Sequence, residues 1–250
     1  MDLPLPPLRA SVDRLESAVR GLDDAQLGGP SYCSGWTVAQ VLSHLGSAGT
    51  IMLRNVADAL AGTKAPEDFT QWVWDEWNAK APRAQAEDSL AVDASLLDAL
   101  AAVSEEDRAR CTIALGPVTL SLDEATGLRV NEHTFHTWDI EVMSYPAATL
   151  PPAETAFVID NLGMIASFVA RPTGEVRDLS VHTTAPERDF TVRLSADAAD
   201  MEAGDAGDPD VILPAESFCR LVYGRLDPAH TPAGLDQAAL ATLRKVFPGL

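Results

Sequence analysis

Apolar residues at Leu8, Val12, Leu15, Val19 and Leu22 recur every three to four positions, which predicts a first helix ending near Gly28-Gly29-Pro30. The loop SYCSGW follows, and Thr37 with Gln40 has the spacing of a capping box. A long second helix then carries Val38, Val41, Leu42, Leu45, Ile51 and Met52 to about Gly62. Residues 64–80 mix acids with Trp72, Trp74 and Trp77 and read as a loop or short helix. A further helix is predicted from Pro82 to Val103 on Leu90, Leu96, Leu97 and Leu100. CTIALGPVTLSL reads as two short extended pieces around Gly116-Pro117. Ser121 and Glu124 repeat the capping spacing and open a helix to about Met143. Four substantial helices imply an antiparallel bundle.

The texture changes after a Pro- and Ala-rich stretch. One helix is predicted from Ala153 to Val169. LSVHTT and FTVRLS then alternate as strands do, and DVILP reads as a third. Helices near 214–223 and 236–246 close the pattern, with Pro214 at a permitted first-turn position. The predicted domains are a helical bundle over 1–145, a linker over 146–152 and an α+β domain over 153–250.

Composition narrows the function. Hydrophobic residues make up 46% and charged residues 22%, enough for real cores. The net charge of -19 disfavours phosphate backbones and anionic membranes, so neither nucleic acid nor a lipid surface is an expected partner. No apolar stretch reaches the roughly 18 residues of a membrane span. The start, MDLPLPPLRA, lacks the pattern of a signal peptide. Cys33, Cys111 and Cys219 lie far apart without CxxC spacing, which fits a reducing cytoplasm rather than a disulfide framework.

Candidate chemistry concentrates in NEHTFHTWDIEVM. Glu132 and His136 are four apart and share one helix face, and Asp139 lies one turn further along it. His44 sits on the second helix at the edge of its apolar stripe. If that face looks inward, His44, Glu132 and His136 would close a facial set that leaves a coordination position open, as catalytic zinc sites do. Asp139 is placed to orient a ligand. By spacing alone the commoner reading is a solvated Glu–His ion pair, with His44 an ordinary hydrogen-bonded histidine. His133 is a rival ligand, rotated about 100° from Glu132. Cys33 reads as a packed loop thiol and the three tryptophans as packing or a lid.

SYCSGWTVAQVLSHLG resembles the cysteine-containing loop and second helix of the mycothiol-dependent maleylpyruvate isomerase family, part of the DinB-like metal-binding superfamily. EHTFHTWD resembles that family's metal-binding helix, and DEWNAK its Asn-bearing third-helix start. ILPAESFCRLVYGRL and LRKVFPGL resemble its second domain and closing residues. The resemblance implies a DinB-like four-helix bundle followed by a small α+β domain. It also implies zinc held by His44, Glu132 and His136, and mycothiol as the working thiol. The expected reaction is cis–trans isomerisation or S-transfer on a small electrophile, with Arg225 the candidate for holding a substrate or cofactor anion. Lys80 occupies a stretch where some relatives present Arg, so recognition of a substrate anion is expected to differ. A metal-water hydrolase on the same site and a non-catalytic metal-containing binding protein are the alternatives.

Overall fold

The computed structural model describes residues 3–115, 118–204 and 207–249. These divide into two units, Met1–Ala148 and Thr149–Leu250.

In the first unit, helices α1 (Leu5–Val19), α2 (Asp24–Leu27), α3 (Val38–Ala61), α4 (Phe69–Ala79), α5 (Pro82–Ala101) and α6 (Glu105–Arg110) precede a hairpin. Strands β1 (Thr112–Leu115) and β2 (Val118–Ser121) form that hairpin, and α7 (Leu122–Ser144) completes the unit. Gly116 and Pro117, the expected centre of the turn, lie outside the described residues. The four long helices make the bundle: α1 packs on α5 and α7, and α3 packs on the same two. The predicted stripes face inward, with Leu8, Leu15, Leu42, Leu45, Leu96 and Leu100 at 1% exposure or less. Each such side chain contributes about 1.5–3 kcal/mol by leaving water.

Both capping boxes form. The Thr37 and Ser121 hydroxyls each accept from the amide three residues on, and Gln40 and Glu124 answer to the cap amides. Gly62, in the left-handed region at φ 67°, ends α3. The first predicted helix is corrected to two. It stops at Val19, and a third capping box, Asp23 with Gln26, starts the separate turn α2. Ser104 caps α6, which the sequence reading did not anticipate.

One glycine sets a close approach. The Trp77 ring of α4 lies over Gly46 of α3, where an added Cβ would fall 2.1 Å from a ring carbon. The indole N–H donates to Thr50 Oγ1 at 3.2 Å. Trp77 is buried, whereas Trp72 and Trp74 remain exposed.

The second unit holds α8 (Pro152–Asp160), α9 (Leu162–Val169), β3 (Arg177–Thr184), β4 (Arg188–Leu194), β5 (Ala199–Ala203), β6 (Val211–Pro214), α10 (Ala215–Val222) and α11 (Gln237–Val246). The single helix expected from Ala153 to Val169 is interrupted at Asn161, whose side-chain amide donates back to the Phe157 carbonyl. The sheet order is β5-β4-β3-β6, antiparallel except for the β3–β6 pair. Leu179, Val181, Phe190, Val192, Val211 and Leu213 are buried on one face, which α9 and α10 help to cover. Alternate residues such as Ser180, Thr191 and Ile212 point the other way, the pattern of a sheet with one packed face. Pro214 is the cap of α10 rather than its first helical residue. Among the described residues, no helix is long and apolar enough to cross a membrane.

Candidate metal centre

Helix α7 is unusual for a bundle core helix. Thr126, Arg129, Asn131, His133, Thr134, Thr137 and Asp139 are all buried along it, interleaved with Val130, Phe135 and Trp138. Burying so many polar groups is costly unless each finds a partner or a task. Some of the polar side chains of this helix gather into two groups.

The first is structural. His133 is fully buried, its Nε2 3.0 Å from Asp93 Oδ2 and its Nδ1 3.0 Å from Ser11 Oγ. Arg129 Nη2 donates to the other Asp93 oxygen at 2.6 Å. Desolvation opposes the charged form of Asp93, but the facing charges of His133 and Arg129 prevail and hold its carboxyl below the ordinary range. His133, the rival ligand, is thus turned into the core and away from the metal set.

The second group faces the edge of the bundle. The nitrogens His44 Nε2 and His136 Nε2 lie 3.0 and 3.5 Å from the same Glu132 oxygen. One ligand atom from each of the three residues falls within 4.8 Å of the others. Tetrahedral ligands about 2.0–2.1 Å from zinc are spaced about 3.3 Å apart, so these separations suit the ion. The set is open on one side, because Glu132 and His44 keep 40% and 36% of their side-chain surface exposed. Convergent imidazoles and a carboxylate are the donor chemistry a zinc or similar divalent ion takes.

Charge within the group follows from this convergence. Desolvation favours the neutral form of Glu132, but hydrogen bonds from His136 and His44 outweigh it and hold the carboxyl far below its ordinary range. Desolvation likewise disfavours the His136 imidazolium, yet Asp139, Cys33 and Glu132 raise its pKa well above the ordinary value. Asp139 is fully buried and its Oδ2 stands 2.9 Å from His136 Nδ1. That contact fixes the ring so that Nε2 faces Glu132.

Local sequence explains the placement. The capping box at Thr37 fixes where α3 begins, and His44 follows two turns later on the face toward α7. The preceding loop is pinned from both ends. Tyr32 N donates to the Asp139 carbonyl at 3.0 Å, and Ser31 N to the Trp36 carbonyl at 2.9 Å. Trp36 then lies nearly parallel to the His136 ring, with centroids 6.5 Å apart. A cleft of about 370 Å³ opens beside His44, lined also by Trp36, Gln40, Ser47, Trp74 and Asn78. Two of the tryptophans expected to serve as packing or a lid divide their roles: Trp77 packs, while Trp74 lines the cleft.

Cys33 is more than a packed thiol. Its Sγ donates to Asp139 Oδ2 at 3.0 Å. Nothing in the sequence marks this contact, because the partners stand 106 positions apart. Lys80 is engaged by Asp88 at 2.6 Å and lies 4.5 Å over the Trp77 ring. Arg225 belongs to the second unit, where its Nη1 donates to the Tyr223 carbonyl at the end of α10, 2.9 Å away.

A helical bundle that brings His44, Glu132 and His136 together as candidate metal ligands, followed by a small α+β unit, is the arrangement to be compared with known proteins. The chain belongs to the mycothiol maleylpyruvate isomerase family, whose N-terminal domain model matches residues 8–141. Among solved structures it resembles the mycothiol-dependent maleylpyruvate isomerase at 16% identity and a TM-score of 0.66, over 92% of this chain and 90% of that one. A histidine-to-alanine mutant of such an isomerase aligns at 16% identity and a TM-score of 0.65, over 88% of each chain. At this identity the structural likeness establishes the fold. Comparison with curated proteins gave no match.

Proposed function

We propose that the protein is a zinc-dependent isomerase that uses mycothiol on a small unsaturated molecule in the cytoplasm. The observation that carries this reading is the convergence of His44, Glu132 and His136 beside an open cleft. The family's name supplies the thiol and the reaction class.

In this reading His44 Nε2, His136 Nε2 and Glu132 hold one zinc ion. When bound, zinc lowers the pKa of a coordinated thiol and fixes its position. The chemistry of such a thiol is reversible addition to a conjugated cis double bond, which becomes single, rotates and re-forms trans. The chain's own residues provide the setting. Asp139 keeps His136 Nδ1 protonated, so that Nε2 presents its lone pair. Trp36 covers the two imidazoles on one side. Gln40, Ser47 and Asn78 offer uncharged hydrogen-bonding groups along the cleft. Arg225 is the proposed holder of a substrate or cofactor anion.

Elemental analysis of purified protein should give about one zinc per chain, and His136→Ala should lose most of it. Turnover of cis-unsaturated acids should require added mycothiol. Full metal in His136→Ala would discard the site. Undiminished turnover without thiol would discard the isomerase mechanism in favour of hydrolysis, and a thiol conjugate as the end product would make the enzyme a transferase.

A further inference from the structure

We infer that Cys33 is a positioning residue for the metal centre, acting through Asp139 on His136; the inference rests on the metal-binding reading above. Three observations support it. Asp139 is fully buried, so each donor to its carboxylate matters. Its Oδ2 receives two of them, His136 Nδ1 at 2.9 Å and Cys33 Sγ at 3.0 Å. The thiol and the ring nitrogen are themselves 3.7 Å apart, so both converge on one oxygen. The carboxylate cannot turn without losing both contacts.

The loop around Cys33 is built for this. Its amides are tied at Tyr32 to the Asp139 carbonyl and at Trp36 to the Cys33 carbonyl, so backbone and side chain grip the same turn of α7. A hydrogen bond to a carboxylate beneath a metal-bound imidazole sets ring orientation and ligand basicity. Cys33 extends that chain by one link, from thiol to carboxylate to imidazole.

The same geometry speaks against two other roles. Cys33 lies on the Nδ1 side of His136, whereas Nε2 faces Glu132 on the opposite side of the ring. The thiol therefore does not belong to the His44–Glu132–His136 donor set. With its hydrogen directed at a carboxylate, it is also not arranged as a free nucleophile.

The test is zinc affinity, measured by chelator competition on the full chain, for wild type, Cys33→Ala and Cys33→Ser. Cys33→Ala should weaken zinc about tenfold, the lower end of what losing such an outer partner does. Cys33→Ser keeps a donor and should stay within about threefold of wild type. Cys33→Ala leaves a buried carboxylate one donor short, so its metal-free melting temperature should fall as well, and the return of zinc affinity in Cys33→Ser is what separates positioning from a general loss of packing. Cobalt-substituted wild type should lack a sulfur-to-cobalt charge-transfer band. Equal affinity in Cys33→Ala, or such a band from the wild-type thiol, would overturn the role. Should Cys33→Ala fail to fold, alkylating Cys33 in the folded wild type removes the same donor, since Cys111 and Cys219 are buried. Unchanged affinity after alkylation would then overturn it. Absence of zinc binding by wild type itself would instead sink the metal reading, a separately recognisable result.

Discussion

Asp93→Ala should be among the most destabilising single changes in the bundle, although it touches neither the cleft nor the donor set. Asp93 is 1% exposed, and both oxygens are engaged, one by Arg129 at 2.6 Å and one by His133 at 3.0 Å. Arg129 is itself only 4% exposed, and its Nε and Nη1 already have no hydrogen-bond partner. Removing the carboxylate strands a guanidinium charge in the core. Breaking a buried pair from one side costs about 3–5 kcal/mol, a large share of the 5–15 kcal/mol typical of a domain. All five tryptophans, Trp36, Trp72, Trp74, Trp77 and Trp138, lie in the first unit, so their fluorescence reports that unit's unfolding. With a urea slope of about 2 kcal/mol/M, the lower figure moves the midpoint down by about 1.5 M. The low native pKa of Asp93 fixes the pH dependence. Its contribution is present above the ordinary value of 3.8 and is lost as pH falls through the lower native value, so the gap between variant and wild type should shrink in acid. A midpoint shift below about 0.5 M at neutral pH would refute the argument.

Gly46→Ala places a methyl group inside the Trp77 ring envelope and should cost about 1–3 kcal/mol in the same fluorescence assay. Metal affinity should rise with pH by up to about tenfold per unit below the raised pKa of His136, because the ion must displace that proton; direct titration across pH would show this, and a flat profile would contradict it. Arg225→Ala should keep its metal yet lose about tenfold or more in kcat/KM, equivalent to about 1.4 kcal/mol. Unchanged kinetics would end the role proposed for Arg225.

What the sequence revealed depended on range. The Thr37–Gln40 and Ser121–Glu124 boxes act over three residues, so their spacing alone located the starts of α3 and α7. The same rule applied to Asp23 and Gln26 would have split the first helix, but the apolar run through Leu22 masked it. Strand β5, ADMEA, escaped notice because its exposed edge position removes the alternation that marks β3 and β4. At the site, the i, i+4 pairing of Glu132 with His136 and the place of His44 at the edge of its helix's apolar stripe are both legible, and resemblance favours reading the three as one metal set. The partner of Cys33 and the core engagement of His133 depend on contacts more than 100 residues apart, to Asp139 and Ser11. No local pattern encodes them.

The contact between Gly46 and Trp77 also bears on what the cleft admits. Gly46 lies two residues beyond His44 on α3, and Trp77 shares α4 with Trp74 and Asn78, which line the opposite wall. The distance between the walls is therefore set, next to the donor set, by a hydrogen atom where any other residue has a carbon. A larger residue at position 46 forces α4 outward and moves both lining side chains with it. Paired with a smaller residue at 77, it changes the spacing without altering a ligand. This single crossing is thus a place where the width of the cleft can change while His44, Glu132 and His136 stay the same.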